Sequence, residues 1–324
     1  MTSPRLAPEQ QVHLPHDDRG PLMLGIHWGL TVLATIFLGL RIYCKRITRL
    51  RLWWDDCILI AAWFIILATD GLTTVLVVDF KLGRHSWDLN IYDLPKFIII
   101  INSRATTTLT SMGWTKTAFA VTLLRLTTGW THKFVWFIII SLNITTAISA
   151  AIPWIQCQPL NKAWLGDSIP GSCWAPGVGT KIWIALGAYS GFMDFTLAVL
   201  PWTFLYKMQL QKREKTGILI AMSMGIVAGA VAMAKCAKLP MLGSGDTYNE
   251  VELHIWDVTE STVTMMAACI PTLRVLVRGM RSIREPDYAP SDMSFFFELS
   301  EGTARASKEV RVEVHDPLQR ETSK

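Results

Sequence analysis

The sequence predicts an all-α protein, a seven-transmembrane helix bundle with the N-terminus outside and the C-terminal tail in the cytosol. Three observations carry that expectation. Apolar runs of roughly 20 residues recur along the chain, each long enough to cross a ~30 Å hydrocarbon core as a helix. The 324 residues are 51% hydrophobic and 18% charged, below the charged quarter usual in soluble domains, and mean hydropathy is +0.31. Lys and Arg gather in alternate short segments between the runs, the asymmetry that orients membrane helices.

The spans follow in order. Span 1 is expected over 22–44, span 2 over 55–78 and span 3, long and polar, over 94–126. Span 4 covers 134–154, span 5 178–208, span 6 216–239 and span 7 254–277. Residues 1–21 form an outside tail, 22–280 the membrane domain, and 281–324 a charged, solvated, disordered cytosolic tail. The first 21 residues carry four prolines and mixed charge, so the first apolar run reads as a retained span rather than a signal peptide. The Phe295–Phe297 trio in the tail is a candidate contact with membrane or partner.

Orientation rests on Arg41, Lys45, Arg46, Arg49 and Arg51 in the first loop, Arg125 and Lys133 in the third, and Lys207, Lys212, Arg213 and Lys215 in the fifth. Arg274, Arg278, Arg281 and Arg284 follow span 7, whereas the alternate loops are poorer in cations. The net charge of +5 does not point to nucleic acid, because the cations sit in these short clusters. The expected surroundings are the lipid bilayer of the plasma membrane or the endoplasmic reticulum.

The stretch RLRLWWDDCILI fits a membrane boundary. Trp53 and Trp54 take headgroup depth, and Asp55 and Asp56 open span 2, where carboxylates cap free N–H groups. Four of the cysteines (Cys44, Cys57, Cys236, Cys269) lie in or beside spans as small hydrophobes. Cys157 and Cys173 share an outside loop on the oxidising face, which predicts a disulfide. No His/Cys cluster supports a metal site. The sequon at Asn143 lies inside span 4, out of reach of glycosylation.

Ionisable groups at membrane depth mark candidate sites. Counted from the outer ends of their spans, Arg104 lies ~13 Å deep, Asp70 ~12 Å, Glu260 ~9 Å and Lys235 ~6 Å. Lys116 and Asp194 form a second pair, lower, between spans 3 and 5. Two readings stand. In one, these pairs lock the bundle. In the other, they line an outward-opening polar cavity that binds a small lipophilic metabolite. There Arg104 and Lys235 take an anionic or carbonyl group, and Asp70 and Glu260 a hydroxyl or amine. A narrower version makes Asp70, Glu260 or Asp194 a protonated acid catalyst for a cyclase or isomerase. His85 and Trp87 are placed as a lid or as loop packing, Gly83 at a turn, Pro95 in the first turn of span 3, and Pro201 and Pro271 at kinks.

Several motifs resemble the fungal rhodopsin-domain family over roughly 22–280. They are Trp54-Asp55-Asp56; Gly83-Arg84-His85 with Trp87, Asp88 and Leu89; Lys116 and Arg125; Gln156, Cys157, Pro159 and Trp164 with Cys173; Asp194 with Leu200 and Pro201; and Trp256, Asp257 and Glu260 followed by Cys269-Ile270-Pro271-Thr272-Leu273-Arg274. The resemblance implies a seven-span protein, either receptor-like or of the satratoxin type encoded in secondary-metabolite clusters. Ala118 stands where the family usually has Ser, Thr203 where a second proline often follows, and Lys235 near a usual arginine. The cysteine-rich outer domain of some receptor-like members is not seen. Span 7 holds no lysine for a retinal Schiff base, so no cofactor is expected. Neither a DRY-like triplet nor an NPxxY ends its span, so G-protein coupling has no motif.

Overall fold

The computed structural model describes residues 17–47, 53–85, 94–124, 127, 129–165, 168–175, 177–205, 212–240 and 247–284, with backbone only at 201–205, 212–222, 224 and 271–284. Eight helices stand among them. They are α1 (Gly20–Ile47), α2 (Trp54–Val78), α3 (Leu94–Leu124), α4 (Trp130–Ile155), the short α5 (Lys162–Leu165), α6 (Val178–Leu205), α7 (Lys212–Lys238) and α8 (Thr247–Arg284). The expected 281–324 tail lies outside the described residues beyond Arg284, as does the 1–21 tail before residue 17. Trp87, Arg49, Arg51, Arg125 and Phe295–Phe297 are likewise outside them. The chain divides into two compact units, 1–275 and 276–324, and of the second only the end of α8 is described.

Among the described residues, four helices are long and apolar enough to cross a membrane: Gly20–Ile47, Trp54–Val78, Trp130–Ile155 and Val178–Leu200. The packing is inverted relative to a soluble protein. Val32, Ile36, Phe64, Phe137, Ile144 and Phe192 are exposed, while Arg104, Lys116, Asp194 and Glu260 are buried. Apolar outside and charged inside is the arrangement a hydrocarbon solvent demands. This is a membrane protein.

Helix α2 packs along α3, α3 along α4, α6 along α7, and α1 and α4 on α2 and α6 respectively. One apolar cluster draws Leu38 of α1, Leu59 of α2, Phe119 of α3, Leu142 of α4, Leu197 of α6 and Met265 of α8 together. A second gathers Met23, Leu76, Leu82, Phe97 and Val251. Small residues set the α3–α4 seam: a Cβ on Gly113 would meet Thr146 at 2.8 Å. The hydroxyls of α3 largely bond back to its own carbonyls, as Thr106 does to Asn102, Thr108 to Arg104 and Thr110 to Thr106. That satisfies them without water.

Two expectations about the turns are met by geometry. Gly83 has φ +105°, and a Cβ there would lie 2.6 Å from the Gly20 nitrogen, so the close approach of chain to chain needs glycine. Pro95 sits second in α3, where its missing N–H leaves no gap. Pro201 and Pro271 fall in helical backbone whose side chains are not described. A proline that sequence reasoning did not weigh, Pro153, lies inside α4.

Between α4 and α6, β1 (Cys157–Gln158) pairs antiparallel with β2 (Ser172–Cys173). Cys157 and Cys173 are joined at 2.02 Å. Asn143 donates its amide to Thr117 Oγ1 and to the Ile139 carbonyl, both at 2.8 Å, inside α4.

Candidate functional site

Three polar clusters cross the interior. The first joins the end of α1 to the start of α2. Arg41 and Lys45 are spaced i, i+4 and share one face of α1. Asp55 and Asp56 open α2 after the short connection that follows. Arg41 donates Nη2 to Asp55 at 2.6 Å and Nε to Asp56 at 2.9 Å, and Lys45 also bonds Asp56. Arg41 Nη1 reaches the Ala268 carbonyl of α8. Asp56 also accepts the Trp53 N–H at 3.1 Å, so the capping role holds. Arg41 and Lys45 do not lie in a solvated loop, as their position in the sequence suggested. They are 1% and 5% exposed and make the aspartate pair an internal ion cluster.

The second cluster lies among α3, α6, α7 and α8. Lys116 Nζ donates to Glu260 Oε1 at 2.6 Å, Asp194 Oδ2 at 2.8 Å and Ser190 Oγ at 2.7 Å. Lys235 Nζ donates to Glu260 Oε2 at 2.6 Å and lies 3.6 Å from Asp257 Oδ1. Glu260, fully buried, therefore spends one oxygen on each of two lysines from different helices.

The third cluster lies among α1, α2, α3 and α8. Asp70 accepts the Thr31 hydroxyl at 2.5 Å and faces His27 Nδ1 at 3.0 Å. Arg104 donates Nε to Thr73 Oγ1 at 3.1 Å and Nη1 to His254 Nδ1 at 2.8 Å. His254 Nδ1 is 3.9 Å from Asp257, which links this cluster to the second.

The two layers expected from depth are thus redrawn. Lys116 and Asp194 are not a separate lower pair, because the four-carbon lysine stem carries Nζ to Glu260. Arg104 bonds neither Glu260 nor Asp70, and Asp70 bonds neither Arg104 nor Lys235 in the described hydrogen bonds; Asp257 and Asp70 act on Arg104 through space. His27 and His254 were missed. Their signal was available: each is a lone imidazole inside a run otherwise fit for the membrane. Asp257 was quoted in a motif but given no role.

Two cavities at these clusters measure ≈ 10 Å³ each, the scale of one water. One is lined by Asp194 with Phe119, Leu197 and Thr264, the other by His27, Asp70, Thr108, Ser111, Val258 and Ser261. The helices have closed on their polar groups, which pair with each other. Among the described residues no cluster of His, Cys, Asp or Glu is arranged to hold a metal ion.

An aromatic clasp joins the start of α1, the segment after α2 and the start of α8. His85 stacks on Tyr248 with ring centres 4.4 Å apart, and the Arg19 guanidinium lies 4.2 Å over the same ring. Thr247 Oγ1 bonds the Arg84 carbonyl at 2.5 Å, and Arg84 Nε bonds Asp18 at 3.0 Å.

Charges turned inward from an apolar shell define a polytopic membrane protein of the rhodopsin-like helical kind. The fungal rhodopsin domain matches residues 40–279, and the chain belongs to that family. No curated protein and no solved structure matches it.

Proposed function

We propose that this is a seven-span membrane protein, N-terminus outside and tail cytosolic, that binds or senses a small lipophilic molecule without retinal, in the manner of family members encoded in secondary-metabolite clusters. Seven helices of 25 residues or more support the seven-span reading. The other three, α3, α7 and α8, carry charges that are buried: Arg104 and Lys116, Lys235, and Glu260 respectively.

The observation that carries the sensing reading is Glu260 shared between Lys116 and Lys235. A pairing held by one carboxylate across three helices has two alternatives within reach. An incoming acceptor that takes one lysine frees an oxygen of Glu260, and α3, α7 and α8 then adjust. A ligand acts on such a bundle only through a difference in affinity for the two arrangements. At Glu260 and Asp194 the geometry does not favour the acid-catalyst alternative. Glu260 accepts from two ammonium groups and Asp194 from one, the surroundings of ionised carboxylates rather than of proton donors.

The test is a metabolite profile by mass spectrometry of a strain deleted for the protein, complemented with wild type or with Glu260→Gln. The sensing reading expects every product to keep its structure while amounts or responses change, with Glu260→Gln behaving like the deletion. An intermediate that accumulates as one product vanishes would transfer the case to catalysis.

A further inference from the structure

The two lysines that share Glu260 are not equally satisfied. An ammonium group has three N–H donors and no acceptor. Those of Lys116 meet three oxygens, on Glu260 at 2.6 Å, Ser190 at 2.7 Å and Asp194 at 2.8 Å. Lys235 has one oxygen within hydrogen-bond reach among the described residues, Glu260 Oε2 at 2.6 Å. Asp257 Oδ1 stands off at 3.6 Å, and the Met112 sulfur accepts at the same 3.6 Å. A thioether is a weak acceptor, so Lys235 keeps donor capacity that an oxygen would use better. Burial sharpens the difference, because a poorly paired charged donor costs more inside a protein than in water.

The same lysine lies at the accessible edge of the hub. Side-chain exposure is 2% at Lys116 and 1% at Glu260, but 9% at Lys235 and 18% at Asp257. Leu239 lies four residues beyond Lys235 and Leu253 four before Asp257, each about one turn toward the α7–α8 end of the bundle. These two leucines cluster with Cys236 and pack against Trp183 and Ile184 of α6. An incompletely paired ammonium thus sits one turn beneath an apolar wall. Of the groups that touch it, Met112 is the one that leaves at least cost. Its chain is unbranched with three rotatable bonds, and it gives up only a weak contact.

Charge decides which oxygen Lys235 takes. Lys116 and Lys235 face Asp194, Asp257 and Glu260, two cations against three carboxylates. Including Arg104 and Asp70 of the adjoining cluster leaves three against four, so the balance stays negative. A ligand anion would enlarge that excess where little screens it. An uncharged oxygen accepts from Lys235 and leaves the balance as it is.

We propose that Lys235 is the anchoring donor of the binding site, and that it takes an uncharged carbonyl or hydroxyl oxygen of a lipophilic molecule in place of the Met112 sulfur. The hydrocarbon part then runs outward along Leu239 and Leu253. This narrows the function proposed above and rests on it. The acceptor that loosens Glu260 arrives at Lys235, while Lys116, already saturated, stays with Asp194 and Ser190.

The test uses the full chain in lipid nanodiscs, with carbon-13 in the methionine methyls and the Met112 resonance assigned by Met112→Leu. The probes share one chain length: decan-2-one, decane, decanesulfonate and decyltrimethylammonium. Decan-2-one is expected to shift the Met112 resonance saturably. Decane, which lacks the oxygen, is expected not to, and both ionic probes are expected to bind there more weakly than the ketone. Lys235→Leu is expected to weaken ketone binding about tenfold, the loss of one charge-assisted hydrogen bond. The ranking of the probes is read in the wild-type protein, so it decides the matter even if that variant does not fold. A Met112 shift that decane reproduces, tighter binding of either ionic probe, or no saturable shift would each overturn the proposal. So would an affinity untouched by Lys235→Leu. The two readings fail separately. Ketone binding at Lys235 with a metabolite profile unchanged by deletion would sink the sensing role alone, and a changed profile without a Met112 response would sink this seat alone.

Discussion

Two buried ion clusters in this bundle differ in how completely they are satisfied. At the α1–α2 junction two cations meet two carboxylates, every charged group is engaged, and the remaining donor of Arg41 is taken by a carbonyl of α8. Around Glu260 two lysines meet three carboxylates, Asp257 stands off at 3.6 Å, and the neighbouring Arg104 keeps one nitrogen bare. The first is built to stay as it is. The second has charges with more than one place to go. Saturation, more than burial, separates a structural lock from a candidate switch, because Lys116 and Glu260 are as withdrawn from solvent as Arg41 and Asp56.

The largest expected effect breaks the lock. Arg41→Met strips Asp55 and Asp56 of their shared partner while Lys45 remains. Removing one side of a buried ion pair typically costs ~3–5 kcal/mol, most of it from the charge left behind. Folded yield and thermal unfolding in detergent should fall sharply. Ligand response per folded molecule should not change, and a variant that kept its stability but lost its response would reverse the assignment of lock and switch.

A middle effect is expected at the hub. Glu260→Gln leaves Lys116 with Asp194 and Ser190, and Lys235 with Asp257 and the Met112 sulfur, each 3.6 Å away. Paired with Lys235→Met in a double-mutant cycle, the two changes should couple by ~1–3 kcal/mol, as groups in one network do. The Lys116–Asp194 pair is the internal comparison, since Lys116 joins both. Strict additivity of Glu260→Gln and Lys235→Met in thermal unfolding would mean that the 2.6 Å contact does not act as a unit.

The sequence made the lock and the hub legible to different degrees. Span positions followed from apolar run length, and the structure starts α3 at Leu94 and α6 at Val178, where the runs begin. The ionisable residues worth attention were also visible, since charge inside an apolar run is conspicuous. Their partners were not. Depth counted from span ends places Cα atoms, whereas Lys116 bonds with an atom several bonds away, and a long stem erases a layer boundary. Helix rotation is equally hidden: Arg104 and Glu260 have similar counted depth, yet Arg104 points to Thr73 and His254. Arg41 and Lys45 misled because a basic pair at the end of a span usually marks headgroups. Only the facing of α1 against the first turn of α2 turns them into partners of Asp55 and Asp56. The tight closure of the interior could not be read at all, because it depends on packing among six helices.

The smallest effect tests whether burial matters alongside saturation. Lys238 and Glu252 bond at 3.0 Å at the α7–α8 end of the bundle, but with 36% and 42% of their side chains exposed. Arg84 and Asp18 bond at 3.0 Å with 40% and 34% exposed. Both distances are ordinary hydrogen-bond lengths, like the 2.6–2.8 Å contacts of the hub, so geometry alone would separate them little. Solvent lowers the attraction and hydrates whichever partner remains, so exposed pairs contribute ~0.2–1 kcal/mol. Glu252→Gln and Asp18→Asn should each shift thermal unfolding by no more than that, and the shift should shrink in high salt as screening grows. Arg41→Met should show no such salt dependence, because mobile ions do not reach its cluster. A salt-insensitive loss at Glu252 as large as that at Arg41 would show that the α7–α8 end is a third lock, and that satisfaction at the rim counts as much as it does inside.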